Sequence, residues 1–248
     1  MEQKPQFPSE IVTLPSKGLL YPQDSPLRKG TIEMKYMTAR EEDILTNQNY
    51  IESGIVIDKL LQSLIVTKIN YEDLLVGDKN AILVAARILG YGADYEFEFQ
   101  GESHKVDLTN VEDKYLDKKV VNDDKNEFNY TLPTSKTEIT FKFLTHKDEE
   151  NIKKEIEGLK KLDKLNNRAS STRLKHTILS VNGDYEKKTI RDFIDNTMLA
   201  RDSRSLRNYI KEIQPDVDLT FERTDGAGKI KKYAIPIGVG FFWPDVDV

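Results

Sequence analysis

The stretch TIEMKYMTAREED, Thr31 to Asp43, is answered further along by EITFKFLTHKDEE, Glu138 to Glu150, and a chain that states one pattern twice is constrained to build two related modules. Setting Ile32 against Ile139 carries the match without a gap to Asp43 and Glu150, at a constant offset of 139 − 32 = 107. Ile32/Ile139, Lys35/Lys142, Thr38/Thr145 and Glu42/Glu149 are identical, and Met34/Phe141, Tyr36/Phe143, Met37/Leu144, Arg40/Lys147, Glu41/Asp148 and Asp43/Glu150 keep their character. TLPTSK, Thr131 to Lys136, likewise answers TLPSK, Thr13 to Lys17, with the extra loop GLLYPQDSPLR in the first copy. Later, Asp202 stands to Asp78 at 202 − 78 = 124, which pairs Ile82/Leu206, Leu89/Ile213, Asp94/Asp218, Phe97/Phe221 and Glu98/Glu222. The pattern implies an internal duplication over roughly residues 11–111 and 129–244. The two offsets differ by 124 − 107 = 17, so the second copy carries an insertion between Glu150 and Asp202. NIKKEIEGLKKLDKLNNRASST is the candidate, a helix with an apolar stripe of Ile152, Ile156, Leu159, Leu162 and Leu165, weakened at Gly158.

Local signals give each copy an α+β character. Ile32, Met34 and Tyr36 alternate with Glu33 and Lys35 as in a strand, and Thr38 followed by Glu41 is a capping box that starts a helix near Ala39. VIDKLLQSLI places Ile57, Leu60, Leu61 and Leu64 at helical spacing. VGDKNAILVAARILGYG predicts a helix from an N-cap at Asp78 to a close at Gly90 or Gly92. DYEFEFQGESHKVDL reads as a hairpin turning near Gly101, and DLTFERTDGAGKIKKYAIPI as its counterpart turning on Asp225-Gly226. The expected organisation is an extended arm over 1–30, a first repeat over 31–111, a linker over 112–130, a second repeat over 131–244 with a helical insertion near 151–172, and a tail at 245–248.

Composition narrows the setting. A chain of 248 residues without cysteine has no disulfide and no thiolate zinc site, and MEQKPQFPSE lacks the apolar segment of a signal peptide, so an intracellular soluble protein is expected. AILVAARIL is too short for a membrane span and reads as a buried helix. The net charge of −5 provides no overall basic field for nucleic acid. NNRASSTRLK is basic but has no aromatic residue on which a base could stack. Signatures of catalysis are missing too: there is no Gly-rich phosphate loop, nucleophile elbow or HExxH. His104, His146 and His176 are scattered and read as surface residues, and Glu41-Glu42 and Glu149-Glu150 as first-turn acids favoured by the helix dipole. No enzyme, cofactor or metal is expected. The terminal IPIGVGFFWPDVDV crowds large aromatics that either complete the core or anchor a partner.

LPSKGLLYP, MTAREEDILTN, GDKNAILVAARILGYGADYE and FFWPD resemble the T-even-type bacteriophage baseplate hub family, over nearly the whole chain. That family contains hub subunits and a related hub-assembly factor, and the resemblance implies a non-enzymatic protein that builds the hub of a contractile tail through contacts with other hub and tail proteins. Its setting would be the host cytoplasm during assembly and, for a hub subunit, the virion baseplate. The candidate contact residues are Leu14, Pro15, Leu19, Leu20, Tyr21, Pro22, Phe241, Phe242, Trp243 and Pro244, with no membrane or nucleic-acid partner expected and with homo-oligomerisation left open. Several family members carry Cys-x-x-Cys pairs at the hairpin tips, like small zinc ribbons. Here the tips offer Glu102, His104 and Asp225 instead, so a metal is not carried over. A transient assembly chaperone, a single-stranded nucleic-acid binder and a hydrolase without a recognisable motif stand as the alternatives.

Overall fold

In the computed structural model, which describes residues 8–121, 125–162, 168–224 and 228–242, strand β1 (Ser9–Thr13) lies antiparallel to β2 (Thr31–Lys35). The alternation of β2 turns Ile32 and Met34 inward, and both are buried. Helices α1 (Ala39–Leu45), α2 (Gln48–Glu52) and α3 (Val56–Leu64) follow, the last burying Val56, Leu60, Leu61 and Leu64 on one stripe. Directly after α3, Ile65 bridges to Met34 and the Val66 N–H donates to the Glu33 carbonyl at 2.9 Å, a rudimentary third strand beside β2. Helix α4 (Val76–Tyr91) closes at Gly92, whose φ of 82° only glycine adopts freely. The hairpin of β3 (Asp94–Phe99) and β4 (Glu102–Asp107) turns through Gln100 and Gly101, both at positive φ as a tight hairpin requires.

After the short strand β5 (Asp113–Lys114), the order begins again. Strand β6 (Phe128–Thr131) pairs antiparallel with β7 (Glu138–Phe141), and α5 (His146–Leu162) and α6 (Ala169–Thr177) lead into β8 (Ile178–Val181), a full third strand beside β7. Then come α7 (Lys187–Asp192), a π-helical turn at Phe193–Thr197, α8 (Ala200–Ile213) and β9 (Asp216–Val217), which pairs with β5. The hairpin of β10 (Thr220–Thr224) and β11 (Ile230–Ala234) precedes a final turn of helix, α9 (Val239–Phe242). The architecture is α+β, small antiparallel sheets with helices packed against them.

The positions aligned in sequence make the same contacts. Lys35 donates to the Glu41 carboxylate at 2.8 Å, and Lys142 donates to Asp148 at 2.8 Å. The Thr38 amide donates to Glu41 at 3.0 Å, and the Thr145 amide to Asp148 at 3.0 Å, so each helix start is capped by an acid that also holds a strand lysine. Glu41 lies fully inside. Burial alone raises its pKa, but hydrogen bonds from Lys35, Thr38 and Ser63 outweigh that and hold it at about 2, against an ordinary 4.5. A depressed carboxylate contributes stability above its unfolded pKa and loses it as pH falls toward the folded one. Between pH 4.5 and 2 the protein should therefore lose about 2 kcal/mol through this group, after discounting for the solvent that reaches Lys35. Glu41→Gln should flatten that part of the profile in urea titrations run from pH 6 to 2.

Asp78 and Asp202 are a second matched pair. Asp78 does not cap α4, as its sequence position suggested; Leu75 holds the cap position, and Asp78 turns away to accept from the Ser16 amide at 2.9 Å, the Ser16 hydroxyl at 2.6 Å and the Tyr21 hydroxyl at 2.6 Å. Asp202, with Leu199 at the cap of α8, accepts from the Thr134 and Ser135 amides at 2.8 and 2.9 Å. In both stretches a buried aspartate on a helix pins the turn that follows Thr-Leu-Pro, where Lys17 and Lys136 sit at φ 50° and 59°.

Three expected boundaries shift. Residues 8–30 are no appendage: β1 pairs with β2, and Leu14, Leu20, Tyr21 and Leu27 are buried in the same core as Ile32 and Met34. The stretch expected as a linker contains β5 and most of β6, because both find strand partners. The extra length expected after Glu150 starts as a continuation of α5, which runs through Leu162 where α1 stops at Leu45; Ile152 is buried, Ile156 and Leu159 are half-buried, and Leu165 lies outside the described residues.

Candidate functional site

The candidate contact residues fall mostly inside the protein. Leu14, Leu20, Tyr21, Phe241 and Phe242 are at most 5% exposed, and Pro15 is buried. A partner cannot reach side chains already spent on the protein's own core, which corrects that expectation for these six. Tyr21 is held by Asp78 and accepts from the Leu75 amide at 2.9 Å, and Phe241 meets Tyr95 edge-on at 4.8 Å. Leu19 is half-buried and Pro22 exposed, so these two stay accessible, while Trp243 and Pro244 lie outside the described residues.

Chemistry gathers instead where the two stretches meet. The Val76 amide donates to the Leu144 carbonyl at 3.0 Å and the His146 amide to the Leu74 carbonyl at 2.7 Å, which ties the start of α4 to the start of α5. Against this joint, Asp58 of α3, Lys79 of α4 and His146 of α5 converge, with Glu150 beside them and Tyr71 donating to Asp58 at 2.8 Å. The Lys79 ammonium pairs with Asp58 and lies 3.2 Å from His146 Nδ1. Asp58, His146 and Glu150 bring ligand atoms within 4.8 Å of one another, and the Lys79 ammonium stands among them, paired with Asp58 Oδ1 and facing His146 Nδ1. The arrangement is a polar joint served by Lys79.

His146, read from sequence as a surface residue, is buried. Burial lowers its pKa first, the nearby Lys79 charge lowers it further, and Asp58, Glu150 and Glu72 offset part of this. A histidine whose folded pKa is depressed contributes fully above its unfolded value and loses that contribution as pH falls. Stability should accordingly decline as pH drops below the ordinary 6.5, and His146→Gln should remove that decline from thermal melts taken between pH 8 and 5. The other histidines are also engaged: His176 Nε2 lies 2.9 Å from Glu155, and His104 packs 4.9 Å from Phe221 between the hairpins. At the hairpin tips, Glu102 pairs with Arg223 at 2.8 Å, and Asp225 lies outside the described residues.

Beside the joint opens a recess of about 360 Å³. Arg207, Ile210 and Lys211 of α8, with Gln214 just after it, line it on one side, and Ser170, Arg173, Leu174 and Thr177 of α6 on another. Leu75, Val76 and Gly77 of α4, with Lys142, Phe143 and Leu144 ahead of α5, form its floor. The fold brings the cationic face of α8 opposite α6. Among the described residues, no helix is long and apolar enough to cross a membrane. No protein-family model matches the chain, and neither a characterised protein nor a solved structure does.

Proposed function

We propose that the protein is a non-enzymatic component in the assembly of a contractile phage tail hub, acting through contacts with other hub and tail proteins. One observation carries the reading: among the described residues, three of the stretches that resemble the baseplate hub family hold buried contacts of this fold. LPSKGLLYP supplies Ser16 and Tyr21 to Asp78 of GDKNAILVAARILGYGADYE, and MTAREEDILTN supplies the Thr38–Glu41 cap. Motifs joined in this way describe a structural module, and a module is what an assembly protein passes on. The matched contacts of Glu41 with Asp148, and of Asp78 with Asp202, support descent of the two stretches from one copied unit.

The test is quantitative mass spectrometry on purified mature particles and on assembly intermediates from the phage that encodes the chain. A fixed copy number in mature particles fits a hub subunit. Presence in intermediates and loss from mature particles fits a transient assembly chaperone. Absence from both contradicts the proposal.

A further inference from the structure

The recess between α6 and α8 has apolar walls and a mainly cationic rim. Leu75, Phe143 and Leu174 are nearly buried at its base, with Ile210 and Pro215 beside them. Four cations, Lys142, Arg173, Arg207 and Lys211, line it against a single carboxylate, Glu149. Two of the four are neutralised within the fold: Lys142 holds both oxygens of Asp148 at 2.8 Å, and Arg173 grips Glu149 through both of its terminal nitrogens. Arg207 and Lys211 are different. Both are exposed on α8, the Arg207 guanidinium reaches only the neutral Ser203 hydroxyl, and among the described residues neither has a carboxylate within ion-pair distance.

The spacing 207, 210, 211, 214 places this charge and the Ile210 side chain on one helical face, directed into the same opening. A pocket of this volume with apolar walls and a few convergent polar groups suits a ligand that buries apolar surface and offers charge at its edge. We propose that it receives a polypeptide segment of a partner protein that inserts an aliphatic or aromatic side chain between α6 and α8 and sets flanking Asp or Glu carboxylates on Arg207 and Lys211. A polypeptide is favoured over a free amphiphile because the two cations stand one turn apart on α8, beside Ile210, a spacing that the acids flanking one apolar residue of a chain can meet together. The arginine guanidinium can also donate two parallel hydrogen bonds to one carboxylate, which orients that acid at the rim. For its biological context the proposal rests on the assembly reading above, but its test does not.

The isolated full chain is titrated with two pools of blocked hexapeptides, followed by amide chemical shifts of α6 and α8. One pool combines Asp and Glu with Leu, Ile, Val, Met and Phe; the other replaces each acid by Asn or Gln. The expected result is saturable binding of the acidic pool with shifts at Thr177 and Ile210, and weakening of about tenfold in Arg207→Glu/Lys211→Glu, whose exposed positions leave the unfolding midpoint unchanged. Equal binding of both pools, no binding of either, or indifference to the charge reversal overturns the proposal. Dodecanoate binding at the same residues without peptide binding overturns it in favour of a lipid ligand. A null result here leaves the particle measurements untouched, so the two proposals fail separately.

Discussion

Gly77→Ala is expected to destabilise the protein by about 3 kcal/mol, at the upper end of what a single overpacked methyl costs. A Cβ on Gly77 would stand 1.9 Å from the Pro215 carbonyl oxygen, 2.8 Å from its carbon and 3.0 Å from the Asp216 Cα, all backbone atoms that cannot rotate aside. The strain would fall on the seam itself, since Asp216 also pairs through β9 with β5 and accepts from Asn80 at 2.8 Å. Urea unfolding should show a midpoint shifted down with its slope kept. Gly158→Ala, where a Cβ meets nothing within 4 Å, should move the midpoint the other way by up to about 1 kcal/mol through helix propensity.

Asp78→Ala should cost about 3 kcal/mol, because it leaves the Ser16 and Tyr21 donors buried without their acceptor. Burial raises the Asp78 pKa, and the bonds from Ser16 and Tyr21 only partly offset this. Asp78→Asn keeps one acceptor oxygen and should lose less than Asp78→Ala. Asp202→Ala removes bonds from the Thr134 and Ser135 amides, and both of those residues are exposed, so water can replace the lost acceptor. The ranking expected in denaturant unfolding is Asp78→Ala below Asp78→Asn, with Asp202→Ala nearest to wild type. A protein insensitive to Asp78→Ala would mean that the turn after Thr-Leu-Pro is held by something else.

How much of this was legible in the sequence follows the distance over which each feature is specified. The helix starts at Thr38 and Thr145 were readable because a capping box is closed within four residues, and the β3–β4 hairpin because its turn is written at Gln100 and Gly101. The role of Asp78 was hidden because its partners lie 62 and 57 residues away, and a helix-start aspartate looks like a cap until its side chain is seen turning elsewhere. Residues 1–30 read as an extended arm, yet Leu14, Leu20 and Leu27 are buried in a core that no local pattern announces. Strand β8 follows α6 without a break in the chain, so no glycine or proline marked it. His146 was misplaced for a related reason: α5 reads as a charged surface helix, and its first residue is buried by Leu74 and Tyr71 from the other stretch. The recess was invisible for the same cause, since its two walls are helices separated by β8, α7 and the π-helical turn.

We propose that this fold serves tail-hub assembly by holding other tail proteins. It is tested most directly by affinity purification of the tagged full chain from cells producing the tail proteins of the phage that encodes it, with sizing and mass spectrometry of the eluate. The account predicts a discrete complex containing one or more hub proteins in fixed proportion to the chain, stable to further sizing. Elution of the chain alone, or with a changing mixture of host proteins and no tail component, would contradict it.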